Sequence, residues 1–298
     1  DRPIGSVTYT QFLNDHGGIV GDVMITRLDS QTFRIITGSA LVDSDLGWIR
    51  LNQKEDDLFV DIKDVTEDYA VIGLWGPNAR EVLQKVTTTD ISHTSFAYMS
   101  AKNIEVESLP VFAQRVTYVG ELGWELYIPK EKSIFLWDKL WSAGKDFGIR
   151  PCGFKTIDSL RLEKGFLALT SDITPLETPF EARLDHCVKL GKQSDFNGKK
   201  ALAVLKNQGI KQRLHTLVIG DEEYLTLYGG EAVTLNGKTI SRLRSTGYGH
   251  SIKKNIGFAY LPIDCIETKF LVEIFGEMIS AKIAPDVLYD PKSRAIRR

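Results

Sequence analysis

The stretch Gly120 to Pro129, GELGWELYIP, most narrows what this chain can become. It crowds acids, aromatics and glycines into one turn. Apolar alternation on either side, over Phe112 to Tyr118 and Trp124 to Ile128, predicts paired strands that the glycines allow to reverse. A second stretch about thirty residues later, DSLRLEKGF from Asp158 to Phe166, predicts a short helix with Gly165 near its end. It sets Arg161 and Glu163 among Leu160, Leu162 and Phe166. Glycines let backbone approach a flat ligand, aromatics offer it faces, and a few fixed polar groups orient it. The pair of stretches points to a site for a heterocycle.

The chain has 298 residues, enough for a sizeable core and more than one domain. A net charge of −2 argues against bulk electrostatic binding to nucleic acid or an anionic membrane. No apolar run approaches the roughly 20 residues a membrane helix needs. Cys152, Cys187 and Cys265 lie far apart, so neither a disulfide framework nor a structural zinc site is expected. His16, His93, His186 and His215 are scattered without metal-type spacing, and no metal site is assigned. A reducing compartment fits best: the cytoplasm, with the mitochondrial matrix as the alternative. The chain opens at Asp1-Arg2-Pro3 and enters a strand-like run, Ser6 to Phe12, within a few residues. That reads as a cut inside a larger polypeptide or as a processed terminus. There is no GxGxxG between a strand and a helix and no GxSxG elbow, so neither a flavin module nor that acyl-transfer device is present in the sequence.

Val20 to Leu28 and Phe33 to Thr37 predict a hairpin turned by Asp29-Ser30-Gln31. Leu41 to Arg50 has helical spacing. Phe59 to Val65 alternates as a strand, and Tyr69 to Trp75 is a short apolar run closed by Gly76-Pro77. Pro77 opens a helix over Asn78 to Thr87. Ile134 to Phe147 predicts an amphipathic helix with Phe135, Leu136, Leu140 and Phe147 near one side. Beyond Phe196 to Lys199 the composition changes to short strands between Gly and Asn turns: Leu214 to Ile219, Ala232 to Leu235, Ile256 to Tyr260 and Phe270 to Phe275. Asn236-Gly237 is a strong hairpin signal. The expected fold class is therefore α+β, with a first domain over 1–205 and a small C-terminal β-barrel over 206–298.

Eight segments in order carry a resemblance: LNDHGGIVGDVMITRL, ITGSA, LWGPNAREVLQK, YVGELGWELYIP, DSLRLEKGF, DITPLETPFEARL, DFNGKKAL and STGYGHSIKKNIGFAYLP, with a closing YDPKSRAIR. The series resembles the glycine-cleavage aminomethyltransferase (T-protein) superfamily. More narrowly it is similar to the folate-binding C-terminal part of sarcosine and dimethylglycine dehydrogenases. The resemblance implies a tetrahydrofolate site that captures a one-carbon unit from an oxidised N-methyl amine, an iminium. It implies FAD only in an upstream module outside this chain. It also implies that the opening segment of the folate domain precedes Asp1.

Asp22 matches that family's carboxylate beside the reactive folate nitrogens. On its strand it shares a face with Val20 and Met24. Spacing alone leaves two readings: a functional carboxylate, costly on an apolar face unless paired, or an edge charge that discourages aggregation. The resemblance implies that it accepts a proton as the folate amine attacks carbon. Glu125 corresponds to the acid that holds the pterin's amino-pyrimidine edge; spacing alone also reads it as an outward strand residue. Tyr118 is expected to pack on the folate, or simply in the core. Ile36, Thr37 and Gly38 correspond to the second strand flanking the ligand. Many aminomethyltransferases carry Asn where Gly38 stands, so this departure favours the dehydrogenase branch. The glycine-cleavage enzymes carry a tail-binding Arg where Ile157 stands. Arg161 lies nearby but reads equally as a salt-bridge partner of Glu163 or Glu181. Glu121 reads as a solvated turn charge. Tyr248, within Gly247 to His250, matches a segment closing over the folate; a plain β-turn with solvated Lys253 and Lys254 is the other reading. Two other functions stay in view: a non-catalytic regulatory or binding module of the superfamily, and a glycine-cleavage aminomethyltransferase working with a lipoyl carrier.

Overall fold

The computed structural model describes residues 2–53 and 60–298, and its strands fall into three assemblies along the chain. The first is an antiparallel sheet of β1 (Val7–Leu13), β2 (Ile19–Arg27) and β3 (Phe33–Ile36), in that order. Its β2–β3 turn is held as expected. The Asp29 carboxylate accepts the backbone N–H groups of Gln31 and Thr32, both at 2.8 Å, which is why a short acid suits the position. Helix α1 (Val42–Leu51) follows.

The second assembly contains β4 (Tyr69–Trp75), β5 (Ser100–Val106), β6 (Leu109–Arg115) and β7 (Gly123–Pro129), in spatial order β4-β7-β6-β5. Helices α2 (Ala79–Gln84) and α3 (Ser133–Gly144) cover one of its faces. Strand side chains alternate between faces, and β7 shows what that does here. Trp124, Leu126 and Ile128 are fully buried and join Leu83, Leu136 and Leu140 in the helix-side core. Each such burial contributes about 1.5–3 kcal/mol. Glu125 and Tyr127, between them, are left for the other face. Gly123 allows the close pairing of β7 with β4, because a Cβ there would lie 2.1 Å from the Leu74 carbonyl oxygen. Gly120 supplies the reversal, at a left-handed φ of 80°.

Helix α4 (Phe154–Lys164) ends on Gly165, whose φ of 72° is the left-handed conformation of a helix stop. Helix α5 (Lys199–Gln208) leads into the third assembly, a closed six-stranded barrel. Its strands are β8 (Gln212–Ile219), β9 (Ala232–Leu235), β10 (Lys238–Gly249), β11 (Lys254–Pro262), β12 (Lys269–Ile274) and β13 (Glu277–Ala284), and closure runs β10-β11-β8-β13-β12-β9. Asn236 and Gly237, both at positive φ (51° and 76°), make the tight β9–β10 turn. The mixed helix and sheet content and the closing barrel agree with the expected fold class.

Several expectations need correction. Residues 60–65 form no strand, and Phe59 lies outside the described residues. Their alternation has no neighbouring strand to satisfy its backbone groups. Strands β5 and β13 and helix α5 were not expected. Strand β6 begins three residues earlier than the apolar run, and α4 begins at Phe154 rather than Asp158. Arg161 pairs with neither Glu163 nor Glu181. Its Nη1 donates to Asp172 at 2.6 Å, its Nη2 to Ser245 Oγ at 2.7 Å, and its Nε reaches Asp158 at 3.4 Å. Glu121 is not a solvated charge but accepts the Tyr289 hydroxyl.

The parts interlock. One buried cluster joins Leu13 and Ile19 of the first sheet, Leu162 of α4, Leu202 of α5, and Leu214, Ile256 and Phe258 of the barrel. After β13 the chain runs back across the molecule. Leu288 and Tyr289 donate to the Glu163 carbonyl at 3.0 and 2.9 Å, and Lys164 Nζ donates to the Asp290 carbonyl at 2.7 Å. Fully buried Arg115 donates to the carbonyls of Ile296 and Arg298 at 3.1 and 2.6 Å. Among the described residues no helix is long and apolar enough to cross a membrane, no cluster of side chains could hold a metal ion, and the three cysteines are free.

Candidate functional site

The face of β2 that carries Asp22, Met24 and Thr26 turns toward the second sheet. The proof is at Thr26, whose hydroxyl bonds the Gln114 amide oxygen of β6. Gln114 Nε2 in turn donates to the Tyr127 hydroxyl at 3.3 Å, and that hydroxyl donates to Glu125 Oε2 at 2.6 Å. A single hydrogen-bonded chain therefore runs from the Asp22 strand to Glu125. In register, Met24 pairs with Ile36 and Thr26 with Arg34 on β3, while Gln114 pairs with Glu125. Asp22, Met24 with Ile36, and Glu125 thus lie in sequence between two facing sheets.

Asp22 is held by Gln11, directly opposite on β1, whose amide donates at 2.9 Å. Burial pushes its pKa up to about 6; hydrogen bonds from Gln11 and Tyr9 oppose the rise, and the Asp45 charge adds to it. Burial likewise raises Glu125 above the usual carboxylate range, against the pull of the Tyr127 hydroxyl. Neither acid has a cationic partner among the described residues, and Glu125 Oε1 takes no donor from them. Two part-buried carboxylates without counter-ions are expensive to keep and mark a site by physical argument alone.

The other expected residues fall as follows. Tyr118 stacks on Phe166, with rings 6.2 Å apart and 5° from parallel, and its hydroxyl donates to the Leu167 carbonyl at 2.8 Å. Burial raises it to about 12, and the Asp22 carboxylate is among the charges that add to that rise. The Thr37 hydroxyl is committed to Asp45 of α1. Gly38 is exposed at φ −64°, and a Cβ there would meet only Leu41, at 3.5 Å, so the backbone does not demand glycine. Tyr248 sits at the seam between barrel and α4. Its hydroxyl donates to the Glu222 carbonyl at 2.9 Å and its own carbonyl accepts Ser159 at 2.7 Å.

Sequence reasoning missed three contributors. Arg34 of β3 reaches across to an aromatic floor, its guanidinium carbon 4.5 Å from the Phe112 ring, 4.9 Å from Tyr69 and 5.7 Å from Tyr127. Its Nη1 is buried with no hydrogen-bond acceptor among the described residues. Trp75 is the second: Gly73 lies opposite Glu125 and Gly123 opposite Trp75. The indole lies so close over both glycines that added Cβ atoms would come within 2.2 and 2.4 Å of it. Its Nε1 donates to the Val116 carbonyl at 3.0 Å, which fixes the ring as an end wall. Gln11 is the third. Only the strand pairing reveals these residues; a legible signal did exist in the two glycines that flank Trp75. The face is open beside β4, where Val71 is 52% exposed. A cleft of about 760 Å³ lies elsewhere, between residues 180–192 and α5, and one of about 260 Å³ touches Gln11 from α1. Neither contains Asp22 or Glu125. The site is placed by its unpaired buried polar groups, not by the size of a hollow.

Known proteins share this architecture. The profile of the GCVT N-terminal domain matches residues 1–192, and that of the glycine cleavage T-protein C-terminal barrel domain matches residues 212–290. Mitochondrial dimethylglycine dehydrogenase of Homo sapiens is 35% identical over 299 residues, covering 99% of this chain and 34% of its own length. An aminomethyltransferase of Thermoanaerobacter sp. (strain X514) is 30% identical over 255 residues, 86% of this chain and 68% of that protein. The crystal structure of glycine cleavage system aminomethyltransferase T from Bartonella henselae superposes with a TM-score of 0.80 at 24% identity, over 96% of this chain and 77% of that one. At that identity the likeness speaks for the fold alone. The chain spans about a third of the length of the dehydrogenase it matches.

Proposed function

Because this chain belongs to the glycine cleavage T-protein family, we propose that it binds tetrahydrofolate between its two facing sheets and assists the loading of a one-carbon unit onto it. The observation that carries this reading is Asp22: a part-buried carboxyl with a pKa near 6, on the same face as the route to Glu125. The residues present fit a reduced pterin. Glu125 Oε1 has no donor of its own, and the pterin's amino-pyrimidine edge offers adjacent N–H groups that a carboxylate accepts strongly. Met24 and Ile36 give an apolar surface between the two acids, and Trp75 closes the end beside Glu125.

When bound, tetrahydrofolate supplies two neighbouring nitrogens able to take up a methylene carbon. Asp22 does the proton work. A carboxyl titrating near 6 is largely ionised at neutral pH, yet is a stronger base than an ordinary aspartate. Gln11 fixes its orientation, and its negative charge stabilises positive charge developing at the amine. Tyr118, stacked on Phe166, flanks the same region. The carbon donor in this reading is an oxidised N-methyl amine such as sarcosine or dimethylglycine. It is delivered by a flavin-dependent module in the part of the longer relatives that this chain does not span. A binding module needs only Glu125; a second carboxyl at Asp22, also without a cationic partner among the described residues, favours the catalytic reading.

Titration calorimetry with tetrahydrofolate tests the assignment. The 298-residue chain is expected to bind it, Glu125→Ala to weaken binding by about tenfold or more, and Asp22→Asn to leave it within about threefold. Absence of binding by the unmodified chain removes the reading.

A further inference from the structure

We propose that Arg34 reads the carbonyl of the pterin's lactam edge, so that Glu125 and Arg34 together select an oxo-pterin over its amino counterpart. The assignment rests on the tetrahydrofolate reading above and goes beyond it, to a specificity-determining residue.

Arg34 and Glu125 meet at Tyr127. The guanidinium lies over that ring, and the hydroxyl of the same ring donates to the carboxylate. Opposite charges so placed ordinarily pair, yet no ion pair joins them among the described residues. Each is left with unused capacity: Glu125 Oε1 as an acceptor, Arg34 Nη1 as a buried donor. The rings of Phe112, Tyr69 and Tyr127 receive the guanidinium's charge. They do not satisfy its in-plane N–H groups. An unsatisfied buried donor is destabilising, the more so when charged. The arrangement is explained if a ligand completes it.

The ligand edge that completes both groups has donors next to an acceptor. The pterin of tetrahydrofolate has that order: an exocyclic amino group and a ring N–H, then a carbonyl. The first two face a carboxylate and the third faces an N–H of a guanidinium, with charge-assisted bonds at each. An analogue with an amino group in place of the carbonyl sets a donor against the Arg34 donor, and its neighbouring ring nitrogen, now without hydrogen, sets a lone pair against Glu125. Sites built to hydrogen-bond one group reject the analogue lacking it far better than apolar pockets do.

The test is competitive calorimetry on the 298-residue chain, with tetrahydrofolate and its reduced analogue in which that carbonyl is an amino group. The unmodified chain is expected to prefer tetrahydrofolate by roughly tenfold to a hundredfold. Arg34→Met fills the aromatic floor without donating; it should weaken tetrahydrofolate binding by about tenfold or more and leave the amino analogue unchanged or tighter. Arg34→Lys should retain part of the preference. Equal binding of the two ligands by the unmodified chain overturns the proposal, as does a folded Arg34→Met chain whose preference is undiminished; the share set by the ring nitrogen against Glu125 remains whether or not Arg34 is present. If Arg34→Met does not fold, the preference of the unmodified chain and its reduction in Arg34→Lys decide the matter. Binding of neither ligand removes the tetrahydrofolate reading and Arg34's role with it; binding of tetrahydrofolate without preference removes only the latter.

Discussion

Asp22 sits where a carboxyl is uncomfortable, and the discomfort has a sign. Folded, it holds its proton up to about pH 6; unfolded, it releases it near 3.8, the ordinary value for an aspartate. The folded state therefore binds the extra proton between those values, and stability falls as pH rises through that window. Asp22→Asn should remove this slope and raise the melting temperature at pH 7, with a gain of at most about 3 kcal/mol. Thermal melts from pH 4 to about 8 check it, in the range the linkage relation sets; an unchanged slope in the variant contradicts the buried geometry. The same substitution should abolish one-carbon transfer while sparing binding. At this scale the sequence revealed strand residues with an anomalous character for their face, such as an acid between Val20 and Met24. It could not reveal Gln11 and Arg34, which reach the site through strand pairing, or Gln114, which reaches it through a hydrogen bond from Thr26, 88 residues away in the other sheet.

Turns and strand faces were the legible elements. The β2–β3 hairpin and the Asn236-Gly237 turn follow from local chemistry that no distant contact has to supply. Strand β5 hid because Lys102, Asn103 and Glu105 dilute its apolar signal, although Ala101, Ile104 and Val106 are buried. Helix α5 was obscured by lysines and by Gly198 at its start. Residues 60–65 show the converse error: alternation is a property of the chain, but a strand also needs a neighbour. The element that positions Glu125 depends on a missing side chain. Gly123→Ala should force β7 off β4 and cost on the order of 2 kcal/mol or more. Gly38→Ala, at an ordinary φ with room for a methyl group, should stabilise by a few tenths to about 1 kcal/mol. Denaturant melts of the pair separate the two cases; equal effects would mean that the close approach at Leu74 is not real.

At the scale of the whole molecule, the barrel is tied to the part before it. Arg161 and Asp172, 3% and 0% exposed, tie α4 to Ser245 of β10, and a shared apolar cluster runs through both parts. Arg161→Met strands Asp172 in the interior and should cost about 3–5 kcal/mol, as breaking a buried pair does. Each part also has an apolar cluster of its own, but the shared interface should make the chain melt in one cooperative transition by scanning calorimetry; two resolved transitions would show that the parts melt independently. The returning segment has a further consequence for biosynthesis. Chains emerge from the ribosome N-terminus first and fold as they appear. Arg115 Nη1 is held by the Phe96 carbonyl, but the acceptors of its Nη2 belong to residues 296 and 298, so half of a buried guanidinium lacks these partners until that segment is made. The four-stranded sheet therefore completes one interior contact only after the barrel and the returning segment have been synthesised, and until then the nascent chain is a client for chaperones rather than a finished binding surface.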